Sequence, residues 1–217
     1  MVGRPAGEGN TMVDKDQAFG LPAEDQSVED TVNFEPVTTH GMTIPKPIVL
    51  IGMMGAGKSA IGRMIAQKLN LPFVDADHEI EAAAALTIPE IFEKYGEDHF
   101  RYGERRVIAR LLRDGVQILA TGGGAYMSAE TRETIHKHAI CIWFRAEFDI
   151  LWERVSRKSH RPLLHTPNPQ GTLKSLIETR YPVYEEADII IDCDDVSKEE
   201  MRERVIEELR NYLNNQS

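Results

Sequence analysis

The sequence predicts an α/β fold of three layers, a five-stranded parallel sheet between helices. Five short runs, at 48–52, 72–75, 117–121, 139–144 and 188–192, are rich in Val, Ile and Leu and nearly continuous, as strands buried on both faces must be. Helical patterns separate them, so each crossover is long enough to bring the chain back parallel. A third observation places a ligand on that frame. Gly52-Met53-Met54-Gly55-Ala56-Gly57-Lys58-Ser59 follows the first strand and reads G-x-x-x-x-G-K-S, the spacing of a phosphate-binding loop.

Residues 1–46 carry few large apolar side chains, no periodicity, and eight acids against three bases. They read as a disordered acidic extension, with the folded domain over 47–217. Ile48-Val49-Leu50-Ile51 ends at a glycine, as a buried strand entering a turn would. Ile61, Ile65 and Leu69 then recur at four-residue spacing, the stripe of a helix. After the second strand, Thr87-Ile88-Pro89-Glu90 is a capping box with proline in the first turn, and Gly96 closes that helix. A further helix is expected over about 97–113. Ser128 and Ser197 are cap candidates, the latter opening a final helix that carries Met201, Val205, Leu209 and Leu213. Segment 157–171 is polar, basic and rich in proline. A connection of that length is usually functional, and here it suits a lid that excludes water. The helix after it is expected to end at Arg180, before Tyr181-Pro182.

The 217 residues suit one domain with a tail. A net charge of -10 argues against a nucleic-acid surface. No apolar run approaches the ~18 residues that would span a bilayer, and the N-terminus lacks a basic-then-apolar leader pattern. A cytoplasmic protein is therefore expected. Cys141 and Cys193 lie in or beside predicted strands; they could pair, but a cytosolic chain favours two reduced, buried thiols. No Cys/His spacing suits zinc.

The chemistry gathers at predicted strand ends, where open α/β sheets bind ligands. In the phosphate loop, backbone N–H groups and the helix N-terminus would meet an anion. Lys58 is placed to reach the β/γ-phosphates and the Ser59 hydroxyl to ligate Mg2+; a Gly-rich turn without function is the bland alternative. Asp75-Ala76-Asp77 ends the second strand, and strand alternation would put both carboxylates on one side. One could orient metal-bound water and the other align an attacking hydroxyl; capping the next helix is the competing role. Gly122-Gly123-Gly124 after the third strand would let a substrate touch backbone N–H groups. Arg101 sits one helical turn from Glu104, which by default is a surface ion pair. Arg154, Arg161 and Arg180 share that default, but arginine is also the preferred bidentate clamp for carboxylate and phosphate.

This ordered set resembles shikimate kinase. The resemblance covers about residues 47–212 and rests on Gly52–Ser59, Asp75-Ala76-Asp77, Phe100-Arg101 with Glu104, Gly122-Gly123-Gly124, Arg161-Pro162-Leu163-Leu164 and Arg180-Tyr181-Pro182-Val183-Tyr184. It implies a P-loop kinase fold of the nucleoside monophosphate kinase type with a mobile lid. It implies ATP-dependent phosphorylation of the shikimate 3-hydroxyl with Mg2+, on the route to chorismate and aromatic amino acids, by a monomer. Gly55, Ala56, Gly57, Lys58, Ser59, Ala60 and Arg154 would then bind the nucleotide, with Arg154 near adenine. Ser59 and Asp75 would hold the metal. Asp77 would hold the shikimate hydroxyls and act as base, while Arg101, Arg180 and Gly122–Gly124 bind the rest of the substrate. Arg161 would close from the lid onto the phosphates. Glu104 would hold Arg101, and Phe92 and Phe100 would wall the pocket.

The chain departs from the family pattern at Ala60, where many relatives have threonine, at Gly103, which interrupts a helix at a cost of about 1 kcal/mol, and in the N-terminal extension. A kinase for gluconate or a nucleotide would explain the phosphate loop and the lid but not the whole set. A non-catalytic nucleotide-binding module predicts loss of Lys58 or Asp77, and both are present.

Overall fold

The computed structural model describes residues 32–157, 164 and 166–216. Its main sheet holds β3 (Ile48–Ile51), β4 (Phe73–Asp75), β5 (Ile118–Ala120), β6 (Ile140–Arg145) and β7 (Ile189–Asp192) in the order β4-β5-β3-β6-β7. Every pairing is parallel; Leu50 of β3 faces Ala120 on one side and Ile142 on the other. All four β3 residues are buried, which requires cover on both faces and explains the continuous apolar runs.

The cover comes from α1 (Lys58–Leu69), α2 (Ala76–Ala84), α3 (Ile88–Tyr95), α4 (Glu97–Leu111), α5 (Ala129–His138), α6 (Phe148–Ser156), α7 (Pro169–Tyr184) and α8 (Lys198–Gln216). Helix α1 turns its Ile61, Ile65 and Leu69 stripe inward and packs on α8. The capping box of α3 is formed in full: the Glu90 amide donates to Thr87 Oγ1, and the Thr87 amide to Glu90 Oε2. Cys141 and Cys193 are both buried thiols.

Three expectations change. The extension does not run unbroken to residue 46. Val37–Thr39 (β1) and Met42–Ile44 (β2) form an antiparallel hairpin. His40 and Gly41 turn it at φ 49 and 73, the left-handed pair of a type I′ turn. Met42 and Ile44 are buried, and β2 lies on α8. Residues 1–31 lie outside the described residues. Second, α7 does not end at Arg180 but continues through Pro182 to Tyr184. Proline in the last turn removes one helical N–H, and burial of Arg180 and Tyr184 holds the turn regardless. Third, the expected lid to residue 171 overlaps α7, because Asn168 caps that helix and Pro169 begins it. Within the expected lid, residues 158–163 and 165, and Arg161 with them, lie outside the described residues.

Candidate active site

The site is built on the carboxyl edge of the sheet. After β3 the chain must turn sharply beside β6. A Cβ at Gly52 would stand 2.6 Å from the Phe144 carbonyl oxygen, and the residue sits at φ 139, so only glycine fits there. Gly55 and Gly57 also have positive φ, and Lys58 begins α1. The loop amides and the helix N-terminus therefore share one concavity. Lys58 Nζ donates to the carbonyls of Gly52 (2.8 Å) and Met53 (3.0 Å), which holds the ammonium at the loop.

Asp75 and Asp77 do not reach the site by strand alternation. Strand β4 stops at Asp75 and α2 starts at Ala76. Asp75 is the N-cap: its Oδ1 accepts from the Asp77 amide (3.2 Å), and its Oδ2 accepts from Ser59 Oγ (2.7 Å). Asp77 lies in the first helical turn, where a carboxylate is favoured by the helix dipole. Asp75 thus caps the helix and contacts Ser59 at once, with Asp77 one residue beyond Ala76.

The glycine triplet follows β5 and packs closely against the ends of four charged side chains. A Cβ at Gly122 would meet Asp77 Oδ1 at 2.9 Å and Glu104 Oε1 at 3.1 Å; at Gly123, an Arg180 guanidinium nitrogen at 3.1 Å; at Gly124, the Arg101 guanidinium at 2.5 to 2.7 Å. The triplet is therefore a backbone surface between two acids and two arginines. Arg101 donates to Glu104 Oε2 at 2.6 Å and to Glu97 on its other side, with its guanidinium over the Phe100 ring. Glu104 is only 2 % exposed, so this is no surface ion pair. Burial pushes its carboxyl up to about 7, with Arg101 pulling against that shift. Arg180 is buried.

Two cavities meet here. The larger, about 710 Å³, is lined by Gly55, Ala56, Gly57, Lys58, Ser59, Ala60, Asp75 and Arg154, with Cys193, Asp194 and Val196 at the β7 end. The smaller, about 330 Å³, is lined by Phe92, Phe100, Arg101, Glu104, Gly124 and Arg180. Met54, Asp77, Gly122 and Gly123 line both. The Phe92 and Phe100 rings lie 4.7 Å apart as an apolar wall. A third cavity, about 720 Å³, lies beside the ends of β6 and β7. It touches none of the phosphate loop, the aspartates or the triplet, and its Arg145 and Arg204 are held by Asp192 and Asp194.

Apart from Arg161, the expected site residues converge on the two cavities. Sequence reasoning missed Cys193, Asp194 and Val196, although the end of the fifth strand belongs to the same ligand edge. It also missed the hydroxyl of Tyr184, which donates to the Gly123 carbonyl.

The Ser59 hydroxyl and Asp75 carboxylate are hard oxygen donors already in contact, which fits Mg2+. That ion takes one or two protein oxygens and completes its shell with phosphate and water.

The sequence model of the shikimate kinase family matches residues 54–210. A shikimate kinase of Rhodopseudomonas palustris is 57% identical over 168 residues, spanning 77% of this chain and 83% of the relative. The solved shikimate kinase of Acinetobacter baumannii in complex with shikimate superposes with a TM-score of 0.72 at 37% identity, covering 75% of this chain and 91% of that one. A gluconokinase from Sinorhizobium meliloti shares the fold, with a TM-score of 0.58 at 20% identity over 79% and 95% of the two chains.

Proposed function

The chain belongs to the shikimate kinase family, and from that membership we propose how its residues divide the ATP-dependent phosphorylation of shikimate. The observation that carries the assignment is the meeting of two cavities at Asp77, one lined by the phosphate loop and one by Arg101 and Arg180.

ATP lies in the larger cavity with its phosphates on the loop amides and the N-terminus of α1. Lys58 exchanges its carbonyl partners for phosphate oxygens and neutralises their charge. Arg154, which donates to the Gly55 carbonyl at 3.4 Å, flanks the base. Ser59 and Asp75 hold Mg2+, which when bound screens the charge on the transferring phosphoryl group.

Shikimate is a small carboxylate with three hydroxyls. Arg101 and Arg180 take the carboxylate bidentately, Phe92 and Phe100 cover the apolar face of the ring, and the triplet contributes backbone groups. Asp77, common to both cavities, accepts a hydrogen bond from the reacting hydroxyl, aims it at the phosphoryl group and draws off its proton. Phosphoryl transfer is mostly positioning and charge compensation, and these residues supply both. Arg161, by resemblance, closes on the phosphates. No helix among the described residues is long and apolar enough to cross a membrane. The net charge of -10 argues against a nucleic-acid partner.

The test is a coupled assay of ADP release. We expect release that depends on shikimate and falls by about 100-fold in Asp77→Asn while ATP binding persists. A folded enzyme that releases ADP at the same rate with and without shikimate would contradict the proposal.

A further inference from the structure

Three consecutive glycines have no side chains to fix their peptide planes, yet this backbone forms a wall of the smaller cavity. Their carbonyls show how the wall is held. The Gly122 oxygen accepts from the Ala125 amide and the Gly124 oxygen from the Met127 amide, both at 3.1 Å, within the short 3₁₀ turn that follows. The Gly123 oxygen accepts from a side chain of a distant element, the Tyr184 hydroxyl of α7. In a trans peptide the C=O and the next N–H point oppositely and turn as one plane. Holding the Gly123 carbonyl therefore aims the Gly124 N–H.

Tyr184 is itself fixed. It is fully buried, with Trp143 at 5.7 Å and Tyr126 and Tyr181 at 6.2 Å between ring centroids. Burial pushes its phenol up to about 12, with Arg180 opposing, so the hydroxyl remains a donor at neutral pH. Arg180 lies one helical turn earlier on α7, with a guanidinium nitrogen 3.1 Å from where a Gly123 Cβ would stand. One helix face thus sets both the arginine and the glycine backbone it stands against.

We propose that Tyr184 is a positioning residue for shikimate recognition, its hydroxyl fixing the Gly123–Gly124 peptide at the spacing from Arg180 that the substrate requires. The inference rests on the shikimate reading of the smaller cavity. It concerns affinity for that substrate more than for the nucleotide, because Gly124, whose N–H the held peptide aims, lines only the smaller cavity.

Tyr184→Phe keeps the ring and deletes the hydroxyl. We expect the KM for shikimate to rise roughly 3–10-fold, the effect of losing one neutral hydrogen bond, with the KM for ATP unchanged. Tyr181→Phe is the control: it removes a hydroxyl of the same helix that donates to the Ala146 carbonyl, and should leave the shikimate KM where it was. An unmoved shikimate KM in Tyr184→Phe, or equal rises for both substrates, overturns the inference. Absence of shikimate-dependent turnover in the wild type would instead overturn the reading beneath it. Should Tyr184→Phe fail to fold, a site-specific difluorotyrosine at 184 keeps the ring and acidifies the phenol. Its shikimate KM should then climb further at alkaline pH than that of the wild type, and the same profile in both overturns the inference.

Discussion

Glu104 is a carboxylate almost wholly shielded from water. Its sequence context, three residues after Arg101 on a helix, gives the default of a weak surface pair; burial reverses that default and could not be read from spacing alone. The consequence is a pH dependence of stability with a defined sign. Burial pushes the folded carboxyl up to about 7 from an ordinary value of 4.5, so the folded state holds this proton more tightly than the unfolded chain. The stability this contributes is complete below the ordinary value and is lost as pH rises through about 7. Glu104→Gln cannot titrate. The difference in Tm, variant minus wild type, should therefore grow by a few degrees between about pH 5 and about pH 8.5. A difference that is constant or shrinks across that range would refute the buried titration. The phosphate loop stands at the opposite extreme of legibility, because Gly52, Gly57, Lys58 and Ser59 are dictated by local backbone and phosphate geometry.

Elements with their own punctuation were legible: α3 between its capping box and Gly96, and the final helix from Ser197. Those that tertiary contacts override were not. Helix α7 passes through Pro182 because Arg180 and Tyr184 are anchored inside the protein. The loop between α6 and α7 is shorter than expected because Asn168 and Pro169 together form a helix start. Helix α2 ends on Ala85 at φ 51 and ψ 31, a left-handed cap that a Cβ disfavours by ~1–2 kcal/mol. Nothing in its run of alanines marks the end. Ala85→Gly should stabilise the protein by about 0.5–1 kcal/mol, the strain relieved less the entropy glycine gains in the unfolded chain. Urea unfolding measures this, and a midpoint at or below that of the wild type would show that the cap is not strained.

At the scale of the molecule, the parallel sheet and its ligand edge were legible because buried strands and long crossovers leave few topologies. The N-terminal boundary was not. Two three-residue strands are too short to show alternation, and the turn residues His40-Gly41 are not the usual Asn-Gly pair. The hairpin lies before the family match at 54–210, and neither cavity draws on it. A chain lacking residues 1–46 should lose about 3–5 kcal/mol relative to one lacking 1–31, from the burial of Met42 and Ile44. Both chains should retain the same kcat/KM where folded. Equal melting temperatures would show that the hairpin is peripheral to stability. The wall common to the two cavities has a different consequence. Met54, Asp77, Gly122 and Gly123 face both ligands, so any shift they make on binding one changes the surface offered to the other. Binding of the two substrates is then synergistic or antagonistic, and by thermodynamic reciprocity the factor by which ATP alters shikimate affinity is the factor by which shikimate alters that of ATP.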